Sequence, residues 1–365
     1  MSARSGPARS LKGRGTPAEQ GFSFPAEWTR HHGIWISWPR PEGISFPGRY
    51  AECIHNVIDV VRAITEFEPV HLNVPNVDYE RIVRDVVERG RVPLRRIRFH
   101  HIRTNECWTR DHGPAFVLRI RNGRSEAAIV DWGYNAWGGK YPPYDDDDAV
   151  PTRVAEEYKL PVFSPGIVME GGAVDFNGAG TVLTTTSCLL NKNRNPRLSQ
   201  RQIERYLRDY YGQRHVVWLG DGIEGDDTDG HIDDLARFVD ERTIVIGMET
   251  DPADANYKVL WANRRLLDRA RDQDGRPFSI VELPMPRPVT YKGQRLPATY
   301  MNFLFVNGAL LVPTFDQSRR DTRALGILQE LLPRRHVVGV DCRALIWGLG
   351  AIHCLTQQEP TFSRP

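Results

Sequence analysis

Ala115-Phe116-Val117-Leu118-Arg119-Ile120 and Ser125-Glu126-Ala127-Ala128-Ile129-Val130-Asp131-Trp132 are two apolar-rich runs that meet across Asn122-Gly123. Asn-Gly between such runs is the strongest short-range hairpin signal, because both residues accept the positive φ of a tight hairpin turn. The pattern recurs: Gly172 to Phe176 and Gly180 to Thr185 flank Asn177-Gly178, Ile232 to Val239 and Thr243 to Met248 flank Asp240-Glu241-Arg242, and Tyr300 to Val306 and Ala309 to Pro313 flank Asn307-Gly308. Segments with apolar residues at helical spacing sit between hairpins at Ser199 to Tyr211, Asn256 to Arg271 and Arg319 to Leu332. An N-terminal region adds a strand at Gly33 to Trp38, a helix at Arg49 to Glu66, a strand at Val70 to Val74 and a helix at Tyr79 to Arg89. About five β-rich units at intervals of tens of residues predict an α/β radial or stacked repeat. A doubly wound parallel sheet has no use for so many tight hairpins. With no linker to divide it, residues 22–365 read as a single domain.

The composition narrows the function classes. At 365 residues, 40% hydrophobic and 26% charged with a net charge of +2, the chain has an ordinary soluble balance and no general attraction for nucleic acid or membrane. No apolar run approaches the ~18 residues of a membrane span. The five cysteines (Cys53, Cys107, Cys188, Cys342, Cys354) include no C-x-x-C pair. That argues against a disulfide scaffold or a structural zinc site and favours a reducing, cytoplasmic compartment. Residues 1–21, rich in Arg, Ser, Gly and Pro, read as a disordered tail.

Four stretches are polar where the pattern predicts strand ends near the core: Asn105 to Pro114, Glu170-Gly171-Gly172, Gly225 to Asp234, and Trp347 to Gln358. In the last, Gly348 and Gly350 permit close backbone approach, and Ala351 to Thr356 reads as a short strand that turns His353 and Cys354 to opposite faces. If Cys354 is a nucleophile, its proton partner must come from elsewhere; the alternative is a buried structural thiol. His231 and Asp233, two apart at the entry to a strand, share a face and make an acid/base pair. The alternative there is a solvated acidic loop. An EF-hand register ending in Gly230 fails, since its first and twelfth positions would be Gly225 and Ala236, and a transition-metal site lacks a clear third ligand. No dinucleotide fingerprint, phosphate loop or G-x-S-x-G elbow is present. One thiol, one histidine and several carboxylates suit a cation, and a planar guanidinium offers five N–H donors to grip.

The sequence resembles the agmatine deiminase family of guanidino-group-modifying (pentein) enzymes, also called the Porphyromonas-type peptidylarginine deiminase family. The resemblance runs from about Pro25 to the C-terminus. It rests on Glu27-Trp28-x-x-His31-x-x-x-Trp35-x-x-Trp38-Pro39, Trp108-x-Arg110-Asp111-x-Gly113-Pro114, Glu170-Gly171-Gly172, Asn191-x-Asn193-Arg194-Asn195-Pro196, Asp227-Thr228-Asp229-Gly230-His231-x-Asp233 and Gly350-x-Ile352-His353-Cys354-x-Thr356-Gln357-Gln358. It implies a five-bladed α/β propeller of ββαβ-like modules around a central site. It also implies the roles: Cys354 as nucleophile, His231 as general acid then base, Asp111 and Asp233 gripping the guanidinium with Glu170 assisting, and Trp108 and Trp137 along the substrate channel, without metal or organic cofactor. The implied reaction converts agmatine to N-carbamoylputrescine and ammonia, in putrescine formation. A peptidylarginine deiminase, an amidinotransferase or a non-catalytic guanidino binder are the competing readings, and a homodimer is left open. Trp132, Tyr134, Trp137 and Tyr141 supply aromatics for a narrow channel. Asp145 to Asp148 reads as a solvated run, or else as acidic attraction at the entrance. Leu349, Ala351 and His112 depart from the residues most usual in agmatine-specific members.

Overall fold

Every hairpin expected from the sequence forms, and each gains a third, parallel strand through a helical crossover. The computed structural model describes residues 15–364. The chain enters at β1 (His31–Ser37), crosses helix Tyr50–Phe67 to the parallel β2 (Val70–Asn73), then helix Val77–Arg89 to the parallel β3 (Ile97–His100). β4 (Ala115–Arg121) and β5 (Arg124–Val130) pair antiparallel, and helix Val150–Tyr158 leads to β6 (Val162–Phe163), parallel to β5. At their turn Asn122 and Gly123 have φ of 51° and 72°, the left-handed values the Asn-Gly pair tolerates. The same order repeats as β7 (Asp175–Phe176), β8 (Thr181–Thr185), helix Gln200–Tyr211 and β9 (His215–Leu219), and again as β10 (Ala236–Phe238), β11 (Thr243–Met248), helix Ala255–Arg269 and β12 (Ser279–Pro284). A small hairpin of β13 (Thr290–Tyr291) and β14 (Gln294–Arg295) precedes the last repeat: β15 (Leu304–Val306), β16 (Ala309–Thr314), helix Ser318–Leu331 and β17 (His336–Asp341).

The final strand, β18 (Thr356–Pro360), returns to pair antiparallel with β1. The sheet β18-β1-β2-β3 is therefore one more hairpin-plus-parallel unit, with its two antiparallel strands supplied by opposite ends of the chain. The fold is mixed α/β, built on five such sheets and the small β13–β14 ribbon.

Local chemistry sets the helix limits. Asn76 accepts the N–H groups of Asp78 and Tyr79 at 3.1 and 2.9 Å, starting one helix. Ser199 and Gln202 form a capping box at the start of another, which ends at Gly212 with φ 70°. Apolar residues at helical spacing on Tyr50–Phe67, including Val57, Val61 and Ile64, are buried against the sheets. No described helix is long and apolar enough to cross a membrane.

Two expectations change. The expected tail is shorter where it can be followed: residues 1–14 lie outside the described residues, whereas Ala18–Gln20 form a 3-10 turn and Ser23 exchanges backbone hydrogen bonds of 2.8 Å with Leu118. Phe22, packed in the second hydrophobic cluster, anchors this start. Asp145–Asp148 is solvated at Asp145 and Asp148, which are exposed, but not at Asp147. Asp147 is fully buried and accepts the backbone N–H of Asn105 at 2.7 Å and of Glu106 at 3.2 Å, while Asp148 accepts that of Tyr134 at 2.6 Å. The run ties down the two loops that carry Trp108, Asp111 and Trp137.

Burial pushes the Asp147 carboxyl up to about 8, against the opposing pull of those two N–H donors. Asp147→Ala would orphan the donors, each worth ~1–3 kcal/mol when left unpaired, so denaturant unfolding should show a loss of about 2 kcal/mol or more; Asp147→Asn keeps an acceptor and should lose less. With the folded pKa above the unfolded one of about 4, the folded state binds the extra proton in between. The contribution of Asp147 to stability therefore falls as pH rises from about 4 to 8. The difference in unfolding free energy between wild type and Asp147→Asn should decline across that window.

Candidate active site

One position recurs in every unit: the residues immediately before the first strand of its antiparallel pair. Asp111 precedes β4, Glu170 and Gly172 precede β7, His231 and Asp233 precede β10, Asn302 precedes β15, and Cys354 precedes β18. The five segments meet. A methyl group at Gly172 would lie 2.6 Å from His231 Nδ1, 2.8 Å from Asp111 Oδ1 and 3.1 Å from Asp233 Oδ2. Only glycine leaves room for these three side chains to converge.

Cys354 does not sit on a strand. Ile352–Leu355 is a single helical turn, with β18 starting after it. Asn302 overrides the local β-propensity: its side-chain Oδ1 accepts the N–H of His353 at 2.9 Å and of Cys354 at 3.2 Å. The two side chains do not part as on a strand: both reach Asp233 Oδ2, at 2.7 Å from His353 Nδ1 and 3.8 Å from Cys354 Sγ. His353 points inward, bonded to Asp233 Oδ2 at 2.7 Å and Glu27 Oε2 at 2.9 Å, while Cys354 lines a pocket of about 220 Å³.

His231 and Asp233 likewise flank a 3-10 turn, Ile232–Asp234, rather than entering a strand. Asp226 Oδ2 and the Thr228 hydroxyl each accept the His231 N–H at 3.1 Å and turn the chain early. Both side chains still reach the Gly172 cradle, and both are fully buried, so the acidic stretch is not a solvated loop.

The electrostatics are concentrated. Asp111 Oδ1 accepts from Gly172 N at 2.9 Å and Oδ2 from Trp137 Nε1 at 2.9 Å; burial raises its pKa despite His231 nearby. For Asp233 burial acts upward too, but the His353 hydrogen bond and charge, with His231, bring the carboxyl below its usual range. Its Oδ1 has no partner among the described residues. The Cys354 thiol is pushed far up by burial, then by Asp233, Asp234 and Asp111. Its Sγ receives an N–H from Asn302 at 3.0 Å and lies 3.8 Å from Asp233 Oδ2. Burial would keep His231 neutral; Asp111, 3.7 Å away, followed by Cys188 and Asp233, outweighs it and raises its pKa well above normal. Cys188 is itself pushed up by burial and stays a neutral thiol, so the Asp111 carboxylate is the charge that holds the proton.

Glu170 stands apart from the two aspartates. It is fully buried, accepts Arg194 Nε at 2.6 Å, and reaches His231 together with Cys188. Arg110 does not pair with Asp111; it donates to Gln358 Oε1 at 2.7 Å and to the His353 carbonyl at 3.4 Å. Two groups have the spacing of metal ligands, Glu170–Cys188–His231 and Asp233–Asp234–Cys354. Neither suits a metal ion. Arg194 already occupies Glu170, and Asn302 Nδ2 directs N–H donors at Asp234 Oδ1 (2.9 Å), Cys354 Sγ (3.0 Å) and Asp233 Oδ2 (3.4 Å).

Trp108, Trp137 and Tyr141 line the pocket, joined by Tyr291 and Trp347. The expected Trp132 does not; it packs on Tyr210 and Tyr211 in a separate cluster. Tyr134 sits behind Trp137, edge to face at 5.6 Å. Trp137 holds φ 56° and ψ 44°, the left-handed region, which aims its indole N–H at Asp111. Gly348 and Gly350 work as expected: an added methyl at either would lie 2.6–2.7 Å from the Trp108 ring.

The sequence model described as Porphyromonas-type peptidyl-arginine deiminase matches residues 23–360. The chain belongs to this family. An agmatine deiminase from Pseudomonas fluorescens is 38% identical over 373 residues, covering 96% of this chain and 98% of its own. The structure of an agmatine deiminase from Enterococcus faecalis superposes with a TM-score of 0.88 at 32% identity, covering 97% and 100% of the two chains. A C. jejuni agmatine deiminase with substrate bound gives 0.84 at 32% identity, covering 94% and 97%.

The departures from the family's usual motifs separate in space. His112 is buried against Tyr134 and its pKa is lowered to about 3 by burial, so it faces away from the pocket as a neutral ring. Ala351 is buried. Leu349 lines the pocket with φ 67°, where glycine would be unstrained.

Asn302 escaped the sequence reading. Its signal was a lone amide inside the apolar run Ala298 to Val306. Asn302→Ala removes the N–H donor on Cys354 Sγ. A hydrogen bond to a charged group is worth ~1.5–3 kcal/mol, equivalent to about one to two pKa units. The pH midpoint for alkylation of Cys354 by iodoacetamide should therefore move alkaline by about one unit; an unmoved midpoint would remove Asn302 from thiolate stabilisation.

Proposed function

We propose that the protein hydrolyses agmatine to N-carbamoylputrescine and ammonia through a covalent thiouronium on Cys354. The observation that carries this reading is the convergence of Asp111, His231 and Asp233 around Gly172, beside a small pocket that Asp111 and Cys354 line and that has no basic residue among its described lining. At about 220 Å³ it lies below the usual range of drug-sized sites, roughly 300–1,000 Å³. A free arginine would bring a carboxylate to a lining without a basic residue, and the cations near the mouth are engaged, Lys140 with Asp227 and Asp229 and Arg49 on the Tyr291 and Trp347 rings. A peptidyl arginine would bring a backbone to a mouth rimmed by Tyr141, Tyr291 and Trp347. Agmatine brings a second ammonium, which the Tyr141 face and the Asp227 carboxylate at the mouth can hold; Arg49 already lies on the Tyr291 and Trp347 rings, and Tyr141 and Lys140 contact Asp227.

In the proposed reaction, Asp111 and the unpartnered Asp233 Oδ1 take the guanidinium N–H donors. The substrate's charge offsets the carboxylates that keep the Cys354 thiol protonated, and the thiol proton leaves to solvent. The thiolate attacks the guanidinium carbon. Protonated His231 gives its proton to the departing nitrogen, ammonia leaves, and a thiouronium cation remains. Neutral His231 then takes a proton from water, and the hydroxide adds to the same carbon. Collapse expels the thiolate and leaves the ureido product, with the hydroxyl proton passing to ammonia. Glu170 positions His231 from behind and touches no substrate. No step calls for metal or organic cofactor.

We further infer a five-bladed propeller with the site at its centre, because five similar units each contribute from the same place. On this reading residues 22–365 are one catalytic domain. The five buried free cysteines support a cytoplasmic, reducing setting.

The test is kcat/KM for agmatine, arginine and a blocked arginine peptide under one set of conditions, with and without EDTA. Agmatine should lead by about a hundredfold or more, the scale on which a site rejects a buried unpaired charge, and EDTA should change nothing. A peptide preferred over agmatine would transfer the assignment to peptidylarginine. Cys354→Ser should abolish turnover with the fold intact, and His231→Ala should accumulate a Cys354 adduct visible by mass spectrometry after acid quench. Asp111→Asn and Asp233→Asn should each lower kcat/KM by at least about tenfold, from a lost charge-assisted contact of ~1.5–3 kcal/mol.

A further inference from the structure

A second cavity, of about 600 Å³, opens between the end of β12 and the first turn of helix Ser318–Leu331. Arg287, Arg319, Arg320 and Arg323 line it. Like charges gathered round one cavity repel, and protein surfaces ordinarily intersperse carboxylates to relieve this. Here the acids in the wall are engaged elsewhere. Glu282 accepts Arg264 Nε at 2.9 Å and Asp316 accepts Arg343 at 2.7 Å, and neither of those arginines lines the cavity. Among the described residues the guanidiniums of Arg287, Arg319 and Arg323 make no hydrogen bond or ion pair, and Arg320 donates only to the Met285 carbonyl at 2.6 Å.

The rest of the lining has a consistent chemistry. Arg319 and Arg323 are four apart on one helix and project from the same face. The first two N–H groups of that fourteen-residue helix, of Ser318 and Arg319, have no partner among the described residues, whereas those of Arg320 and Asp321 bond to the Gln317 carbonyl. Met248, Leu283 and Pro284 provide an apolar wall beside the arginines. The backbone of Arg287 is locked by two bonds to the Gln317 side chain, at 2.7 and 3.0 Å, so this edge is rigid. A dicationic substrate is excluded here by charge. Several unpaired guanidinium forks suit a ligand with several phosphate or carboxylate oxygens, which they meet bidentately, and the apolar wall suits the face of a ring.

We propose that this cleft is a binding site for a small organic polyphosphate, separate from the guanidinium pocket and formed where two neighbouring units meet. The proposal does not depend on the deiminase reading, because its test measures heat of binding rather than turnover. Calorimetric titration of the full chain at constant ionic strength would use ATP, tripolyphosphate and adenosine as probes. ATP and tripolyphosphate should bind saturably at one site per chain, and adenosine should not. Tighter binding of ATP than of tripolyphosphate would locate the ring on the apolar wall; equal binding would give the phosphates the whole effect, and both outcomes support an anion site. Arg319→Ala with Arg323→Ala should weaken both ligands by at least about tenfold, the loss of one charge-assisted contact, with basal turnover and thermal midpoint unchanged. Arg319→Lys with Arg323→Lys, which keeps the charge but loses the forks, should fall between. Absence of saturable binding, binding unaffected by the alanine pair, or tighter binding of duplex DNA than of ATP would overturn the proposal.

Discussion

Buried negative charge is the constraint that governs this structure. Glu27, Asp111, Glu170, Asp175, Asp233 and Asp234 all lie in the interior. A buried carboxylate is tolerated only if paired or protonated. Arg237 pairs with Glu27 and Asp175, Arg194 with Glu170 and Asp229, and His353 bridges Asp233 and Glu27. All of these pairs except Arg194–Glu170 and His353–Glu27 cross between units, so they also fix the units against one another. The balance is incomplete at one place. Among the described residues Asp111 has only His231 as a charged neighbour within ion-pair distance, Asp233 Oδ1 has no partner, and Asp234 is raised far up by burial and by Asp233. A cation entering the pocket would fill that gap.

The repeat explains why the gap has the shape it does. In each unit the first strand of the antiparallel pair begins near the site, and the short turn before it presents one or two polar groups. Four units therefore bring the side chains of Asp111, His231, Asp233, Asn302 and Cys354 together, and the fifth supplies the Gly172 cradle, without any long loop. The arrangement also explains the pairing of β1 with β18. It completes the fifth unit from both ends of the chain, and it sets Cys354, just before β18, beside Asn302, just before β15. A closed ring would make the position of Cys354 depend on the register His31 to Pro360, which a one-residue slip would turn over.

The hairpins were legible because Asn-Gly turns and alternation are local signals, and the helices because their apolar faces recur at 3.6-residue spacing. The site was legible as a set of residues, through long motifs, but less so as conformations. Ala351 to Thr356 has the composition of a strand, and its helical turn is imposed by a side chain from residue 302, which no local pattern contains. The same holds for Ile232–Asp234, turned early by Asp226 and Thr228. Asp147 looked solvated because four consecutive aspartates usually are; its burial depends on the backbone N–H groups of Asn105 and Glu106. Trp132 and Tyr134 have the right composition for a channel, yet the left-handed backbone at residues 136–139 directs only Trp137 and Tyr141 toward it. Tyr291 arrives from a distant segment and gave no sign in the sequence, whereas Trp347 heads the stretch that carries Cys354.

Those conformations have a consequence for catalysis on the proposed reading. With the pocket empty, the carboxylates favour a neutral Cys354 thiol and a protonated His231, a resting state with an acid in place but no nucleophile. A bound guanidinium supplies the missing charge at the carboxylates, lowering the cost of the thiolate where Asn302 already offers it an N–H. It leaves His231 its proton, since Asp111 remains nearby and Glu170 lies behind. The substrate's charge thus selects and activates at once. A neutral amide of similar size would fit the space but leave Asp111 and Asp233 unbalanced and the thiol protonated. An anionic ligand would raise the thiol further. Discrimination then resides in the same buried charge that holds the five units together, and a substitution that lowered that charge to gain stability would remove the activation with it.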